Sequence, residues 1–147
     1  MSELQAVPFV WAVRVYFEDT DAGGVVYHSK YLNFFERART EMLRAAVISM
    51  TQLKQDHNLI WVVLEANVKF LRAARLDDEL LVMAELTWMK GVQQGFRQQI
   101  TRKPDGVLVA TADITAAMLH ADSLKPARMP AWIKAKLGNG GSIENAE

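Results

Sequence analysis

Apolar and polar positions change their rhythm several times along the chain, and each change marks an element. Phe9–Phe17 is dominated by β-branched and aromatic residues, with Arg14 between Val13 and Val15, and reads as a strand. Glu18–Gly24 breaks that run with acidic residues and the pair Gly23-Gly24, a loop that needs unusual backbone angles. From Ser29 to Ser49 the period becomes helical: Tyr31, Leu32, Phe34, Phe35, Ala38, Met42, Leu43, Ala46 and Val47 recur at spacings of three and four. Such a helix is about 30 Å long. Its first half is apolar over more than one stripe, which predicts an enclosed helix rather than one laid on a surface. Thr51–His57 follows as a short second helix or turn, then three strand-like stretches, Ile60–Leu71, Glu79–Met89 and Gly95–Arg102. Lys103-Pro104-Asp105-Gly106 is a turn, since proline presets one dihedral and glycine accepts a positive one. It predicts a hairpin between the last of these strands and Val107–His120. Pro126 and Pro130 close the sheet region and Ala131–Leu137 reads as a final short helix. The glycine-rich, polar tail 138–147 is expected to be disordered.

One strand, a long helix and then four strands with short late connections predict an α+β fold. The sheet is antiparallel and five-stranded, wrapped around one central helix. A single domain over residues 7–137 accounts for the pattern. Its edge strands and broad outer face predict at least a dimer.

Composition narrows the function classes. A chain of 147 residues, half of them apolar, suits one ordinary core. Lysine plus arginine and aspartate plus glutamate number 17 each, so no global charge favours nucleic acid or an anionic membrane. Cysteine is absent, which removes disulfides, a thiol nucleophile and thiolate metal sites and fits a reducing compartment. The start of the chain lacks the basic and apolar regions of a signal peptide. Its apolar runs fall far short of the roughly 20 residues of a membrane span. A cytoplasmic protein is the expectation.

The chemistry concentrates in Asp19–His28, which carries carboxylates, a glycine turn and a histidine to the start of the long helix. Amides there have no partner within the helix and carry partial positive charge, so they can hold a carbonyl oxygen as it becomes an oxyanion. A carboxylate beside them can attack that carbonyl or take a proton from water. The same residues admit plainer roles. Asp19 and Asp21 can form Asx-turns or cap the helix, and His28 can simply pack.

Elsewhere, Lys69, Arg72, Arg75 and Lys90 fall at strand ends or turns, solvated or placed to meet the phosphates of coenzyme A. Asp77-Asp78-Glu79 reads as an acidic turn, with no histidine partner for a metal. His57, His120 and Trp88-Met89 read as structural. Glu36 and Arg39 stand three apart and can pair on one helix face.

The stretch from Arg14-Val15-Tyr16 to Arg44, with Arg75-Leu76-Asp77-Asp78 later, closely resembles the signature of the 4-hydroxybenzoyl-CoA thioesterase-like branch of the hotdog superfamily. More narrowly it resembles the YbgC-type acyl-CoA thioesterases linked to the Tol–Pal envelope system, over roughly residues 10–130. The resemblance implies a hotdog fold and hydrolysis of acyl-CoA thioesters. It implies Asp21 as catalytic aspartate (nucleophile or general base) and His28 as the histidine beside the substrate carbonyl, with Asp19 supporting the loop. Gly24, Tyr27 and Ser29 take substrate-binding positions. No cofactor or metal is implied. The implied partners are acyl-CoA or an acyl carrier protein, further copies of the chain as a dimer or tetramer, and peripherally an envelope complex. One departure is Ala73-Ala74, where that subfamily often has proline, which bears on the shape of the acyl or coenzyme A channel. Phe34, Phe35 and Trp61 are the residues expected to set pocket depth. A dehydratase of the same superfamily needs a different His/Asp or His/Glu arrangement, which this sequence lacks. An interaction protein serving acyl carrier protein or an envelope complex is the other alternative.

Overall fold

The structure, a computed structural model, describes residues 8–138 and 144–145. In chain order it contains β1 (Phe9–Arg14), a single 3₁₀ turn (Phe17–Asp19), α1 (His28–Ala45), α2 (Met50–His57), β2 (Leu59–Phe70), β3 (Glu79–Lys90), β4 (Gln93–Lys103), β5 (Val107–His120) and α3 (Ala131–Gly138). A two-residue strand, β6 (Glu144–Asn145), lies parallel to Trp88–Met89. Of the tail expected to be disordered, Gly138 thus ends α3 and Glu144–Asn145 pair with the sheet; the remainder lies outside the described residues.

The main strands run antiparallel in the order β1-β3-β4-β5-β2. The α+β fold expected from the pattern is the one found. Alternation works as the period of two requires: Leu80, Val82, Ala84 and Leu86 of β3 are buried, as are Ala110, Ala112, Ile114 and Ala116 of β5. Against this inner face α1 sets Tyr31, Phe34, Phe35 and Ala38, a run at helical spacing. α1 lies over β1 and β3, whereas α2 covers β2.

Several boundaries differ from the sequence expectation, three of them around the loop and the long helix. Strand pairing stops at Arg14 rather than Phe17, because the backbone of Tyr16 turns into the 3₁₀ turn. α1 begins at His28 and ends at Ala45, before Ser49. It is also covered on one side only: Leu32 is 42% exposed, and Asn33, Glu36 and Arg37 face outward with it. One chain's sheet curls around a single side of the helix, so among the described residues nothing covers Leu32 and its polar neighbours.

The early end of α1 has a specific cause. Val47 N–H donates to the Arg44 carbonyl and Ile48 N–H to the Leu43 carbonyl, both at 2.9 Å, the paired bonds of a Schellman motif with buried Leu43 and Ile48 alongside. Val47 occupies its left-handed position at φ 61°, where a β-branched side chain is strained. That side chain is 77% exposed, so little packing is lost without it. Val47→Gly is therefore expected to raise stability by about 1 kcal/mol. Urea denaturation checks this; an unchanged or lower midpoint refutes the strain.

Candidate active site

Two aspartates two residues apart are put to opposite uses. Asp19 is buried at 4% exposure. Its Oδ2 accepts the Tyr16 amide at 2.8 Å, its carbonyl accepts the Tyr27 amide at 2.9 Å, and Lys30 Nζ lies 3.5 Å from Oδ1. One residue thus ties the exit of β1 to the entry of α1. Asp19→Ala leaves a part-buried amide and a half-buried lysine unpartnered and is expected to cost about 2 kcal/mol. Chemical denaturation reads this directly; a midpoint equal to wild type would show that Asp19 is not the tie.

Asp21 is exposed on a tight turn. Its carbonyl accepts the Gly24 amide and its own amide donates to the Val25 carbonyl, each at 3.0 Å. Gly24 closes the turn at φ 80°, a conformation that glycine adopts without strain. The Gly23 amide donates to Asp21 Oδ1 at 2.8 Å, which orients the carboxylate, and no described residue donates to Oδ2. Asp21 and Gly24 line an open cleft of about 600 Å³ whose lips are Phe17, 81% exposed, and Leu76. Behind the loop, Val26 N–H donates to the Ala74 carbonyl at 2.8 Å and the Ala74 amide to the Tyr31 hydroxyl at 3.2 Å. These bonds strap the segment around Ala74 to α1. Burial pushes the Tyr31 phenol above its ordinary range, so it stays protonated there.

At the start of α1, Tyr27 occupies the cap position without a side-chain cap, and the first turn holds no acidic residue. The Lys30 amide turns back to the Tyr27 carbonyl at 2.8 Å, while the His28 and Ser29 amides have no acceptor among the described residues. The positive end of the helix is therefore uncompensated and suited to an oxyanion. The His28 ring lies 4.5 Å from that of Tyr27 and edge-on to Phe70 at 6.3 Å.

The expected site residues thus fall in two adjoining groups. Asp21 and Gly24 share the cleft; Tyr27, His28 and Ser29 stand at the helix end beside Phe70 and do not line that cleft within one chain. Phe17, Leu76 and Phe70 were not singled out from the sequence. Their signal is an exposed apolar side chain where a loop or strand end calls for a polar one.

Phe34 and Phe35 are wholly buried, whereas Trp61 lines a cavity. One expectation is corrected. Arg39 does not pair with Glu36. It turns inward to donate to Gln98 Oε1 at 2.9 Å, while Glu36 accepts the Thr40 hydroxyl at 3.3 Å. The buried amide of Gln98 needs a donor and the solvated Glu36 does not.

Comparison with known proteins gives a consistent picture. The model of the Thioesterase-like superfamily matches residues 15–137. The acyl-CoA thioesterase YbgC of Haemophilus influenzae is 41% identical over 127 residues, 86% of this chain and 92% of that protein. The acyl-CoA thioester hydrolase YbgC of Escherichia coli O157:H7 is 41% identical over 128 residues, 87% of this chain and 94% of its own. Among solved structures, a 1,4-dihydroxy-2-naphthoyl-CoA thioesterase from Synechocystis superposes with a TM-score of 0.84 at 22% identity. It covers 90% of this chain and 97% of that one, a likeness of fold.

Proposed function

The chain belongs to the thioesterase-like superfamily, and from that premise we propose that it hydrolyses acyl-CoA thioesters to free acid and thiol, with Asp21 as the catalytic carboxylate. The observation that carries this reading is the pairing of an oriented, exposed carboxylate with an uncapped helix start on one short loop. In the reaction the thioester carbonyl docks against the free amides of His28 and Ser29, with His28 and Tyr27 flanking it. Charge that develops on the carbonyl oxygen meets donors already in place. Asp21 Oδ2 attacks the carbonyl carbon to give a mixed anhydride and release the thiol, and water then cleaves the anhydride. Alternatively Asp21 takes a proton from the attacking water.

A second copy of the chain is part of the proposal. β2 is an edge strand, and Val63 and Leu64 are half exposed along it, as is Phe70 at its end. The outward side of α1 is open as well. Joining two β2 edges covers both features and brings a second copy beside Phe70 and the helix start, giving a dimer or a tetramer of dimers. The partners and compartment that the resemblance implies, an acyl carrier protein, an envelope complex and the cytoplasm, rest on the resemblance alone.

The test is thiol release, followed spectrophotometrically, on aliphatic and aromatic acyl-CoA thioesters. Turnover of any of them supports the reading. No release from the whole panel sinks it, and tight binding of acyl carrier protein without release favours the interaction role instead.

A further inference from the structure

Between the second half of α1 and the β2–β5 side of the sheet lies a cavity of about 140 Å³, its apolar wall formed by Leu43, Met50, Trp61, Val63, Phe96 and Ala116 and its polar side by Glu36, Arg39 and Thr40 of α1. It exists because α1 leans over β1 and β3 and leaves the space beside β2 underfilled. At ~30 Å³ for each water-sized volume, the cavity holds about five such volumes, the space of a short run of methylenes.

Its polar end is held rigidly by two wholly buried glutamines. Trp61 Nε1 donates to Gln94 Oε1 at 2.8 Å, and Gln94 Nε2 donates to the Val92 carbonyl at 3.0 Å. Arg39, also in the wall, donates to Gln98 Oε1, and Gln98 Nε2 donates to the Phe35 carbonyl at 3.0 Å. Neither the indole nor the guanidinium can swing aside without leaving a buried amide unpaired. A hydrocarbon pressed against Arg39 also strips water from a cation whose hydrogen bond is to a neutral amide.

We propose that this cavity receives the far end of the acyl group, and that Trp61 and Arg39, locked by Gln94 and Gln98, set the longest chain the enzyme accepts. The inference rests on the thioesterase reading and names the specificity device of the same site. The route into the cavity crosses between copies. Val63, in the cavity wall, and Phe70, beside His28, are about 23 Å apart along one strand. Antiparallel joining of two free β2 edges about Ala66–Asn67 sets Val63 of one copy against Phe70 of the partner subunit. The carbonyl then sits at one copy's helix start and the chain end lies in the other copy's cavity.

The experiment compares kcat/KM for butyryl-, octanoyl-, dodecanoyl- and palmitoyl-CoA in the wild-type protein and in two variants. Wild-type values are expected to climb by about fourfold per buried methylene and then fall once the chain exceeds the cavity. Trp61→Ala opens the end wall and is expected to raise the long-to-short ratio on the order of tenfold, the worth of about two methylenes. Ala116→Val fills the cavity and moves the fall to shorter chains. The two changes act in opposite directions, so either folded variant decides the matter if the other fails to fold. A wild-type protein that hydrolyses these esters while the folded variants keep its chain-length profile overturns the ruler and leaves the thioesterase standing. A wild-type protein inactive on every ester takes down both.

Discussion

Asp21→Asn is expected to lower thioester hydrolysis by about 10²–10⁴-fold, the range for losing a positioned acid–base group, while the protein melts as before. The turn predicts both halves of that result. Gly23 donates to Asp21 Oδ1, and an asparagine carbonyl accepts the same bond in the same place. The backbone bonds of Asp21 with Gly24 and Val25 do not involve the side chain. Asp21 is exposed, so its neutral isostere buries nothing new. What disappears is the charge at Oδ2, the one oxygen free to attack a carbonyl or take a proton. His28→Ala is expected to cost less, because the amides of His28 and Ser29 survive the truncation. The check is steady-state thiol release beside a thermal melt on the same preparations. A folded Asp21→Asn protein with wild-type turnover would remove Asp21 from the mechanism.

Gly95→Ala is expected to destabilise the protein by about 3 kcal/mol, the upper range for overpacking a filled site. At about 2–4 °C per kcal/mol for a chain of this size, the melting temperature falls by roughly 6–12 °C. Gly95 faces Trp88 on the neighbouring strand, and a Cβ there would stand 1.8 Å from Trp88 Nε1 and 2.1 Å from Cε2. No Cβ survives at that distance, and an indole offers no flexible end to give way. The strand register shifts between Leu86 and Trp88, where the large ring is laid over the glycine. A double-mutant cycle isolates the cause: Trp88→Ala should relieve most of the Gly95→Ala penalty. If the two changes simply add, the contact is not responsible.

Much of the molecule was legible before any fold was known, and the reason is locality. Strand alternation in Glu79–Lys90 and Val107–His120, the helical spacing from Tyr31 to Leu43 and the turn at Lys103–Gly106 are properties of neighbouring residues. The elements therefore lie close to where the pattern puts them. The resemblance, too, rested chiefly on the stretch from Arg14 to Arg44, and the family match and the fold agree with it.

What the chain by itself determined, then, is the set of elements, the α+β class and the short loop where a carboxylate meets a helix start. Tertiary structure decided how those parts are used. Nothing local separates Asp19 from Asp21; chain reversal after β1 buries one under Lys30 and the Tyr16 amide and leaves the other on the cleft. Arg39 has Glu36 at helical spacing, yet a buried glutamine 59 residues away takes its hydrogen bond. Among the described residues the order β1-β3-β4-β5-β2 leaves β2 with a free edge and α1 with an open side, consequences of pairings far apart in sequence. Periodicity says which faces are apolar. Only the packed chain says which of them are already covered.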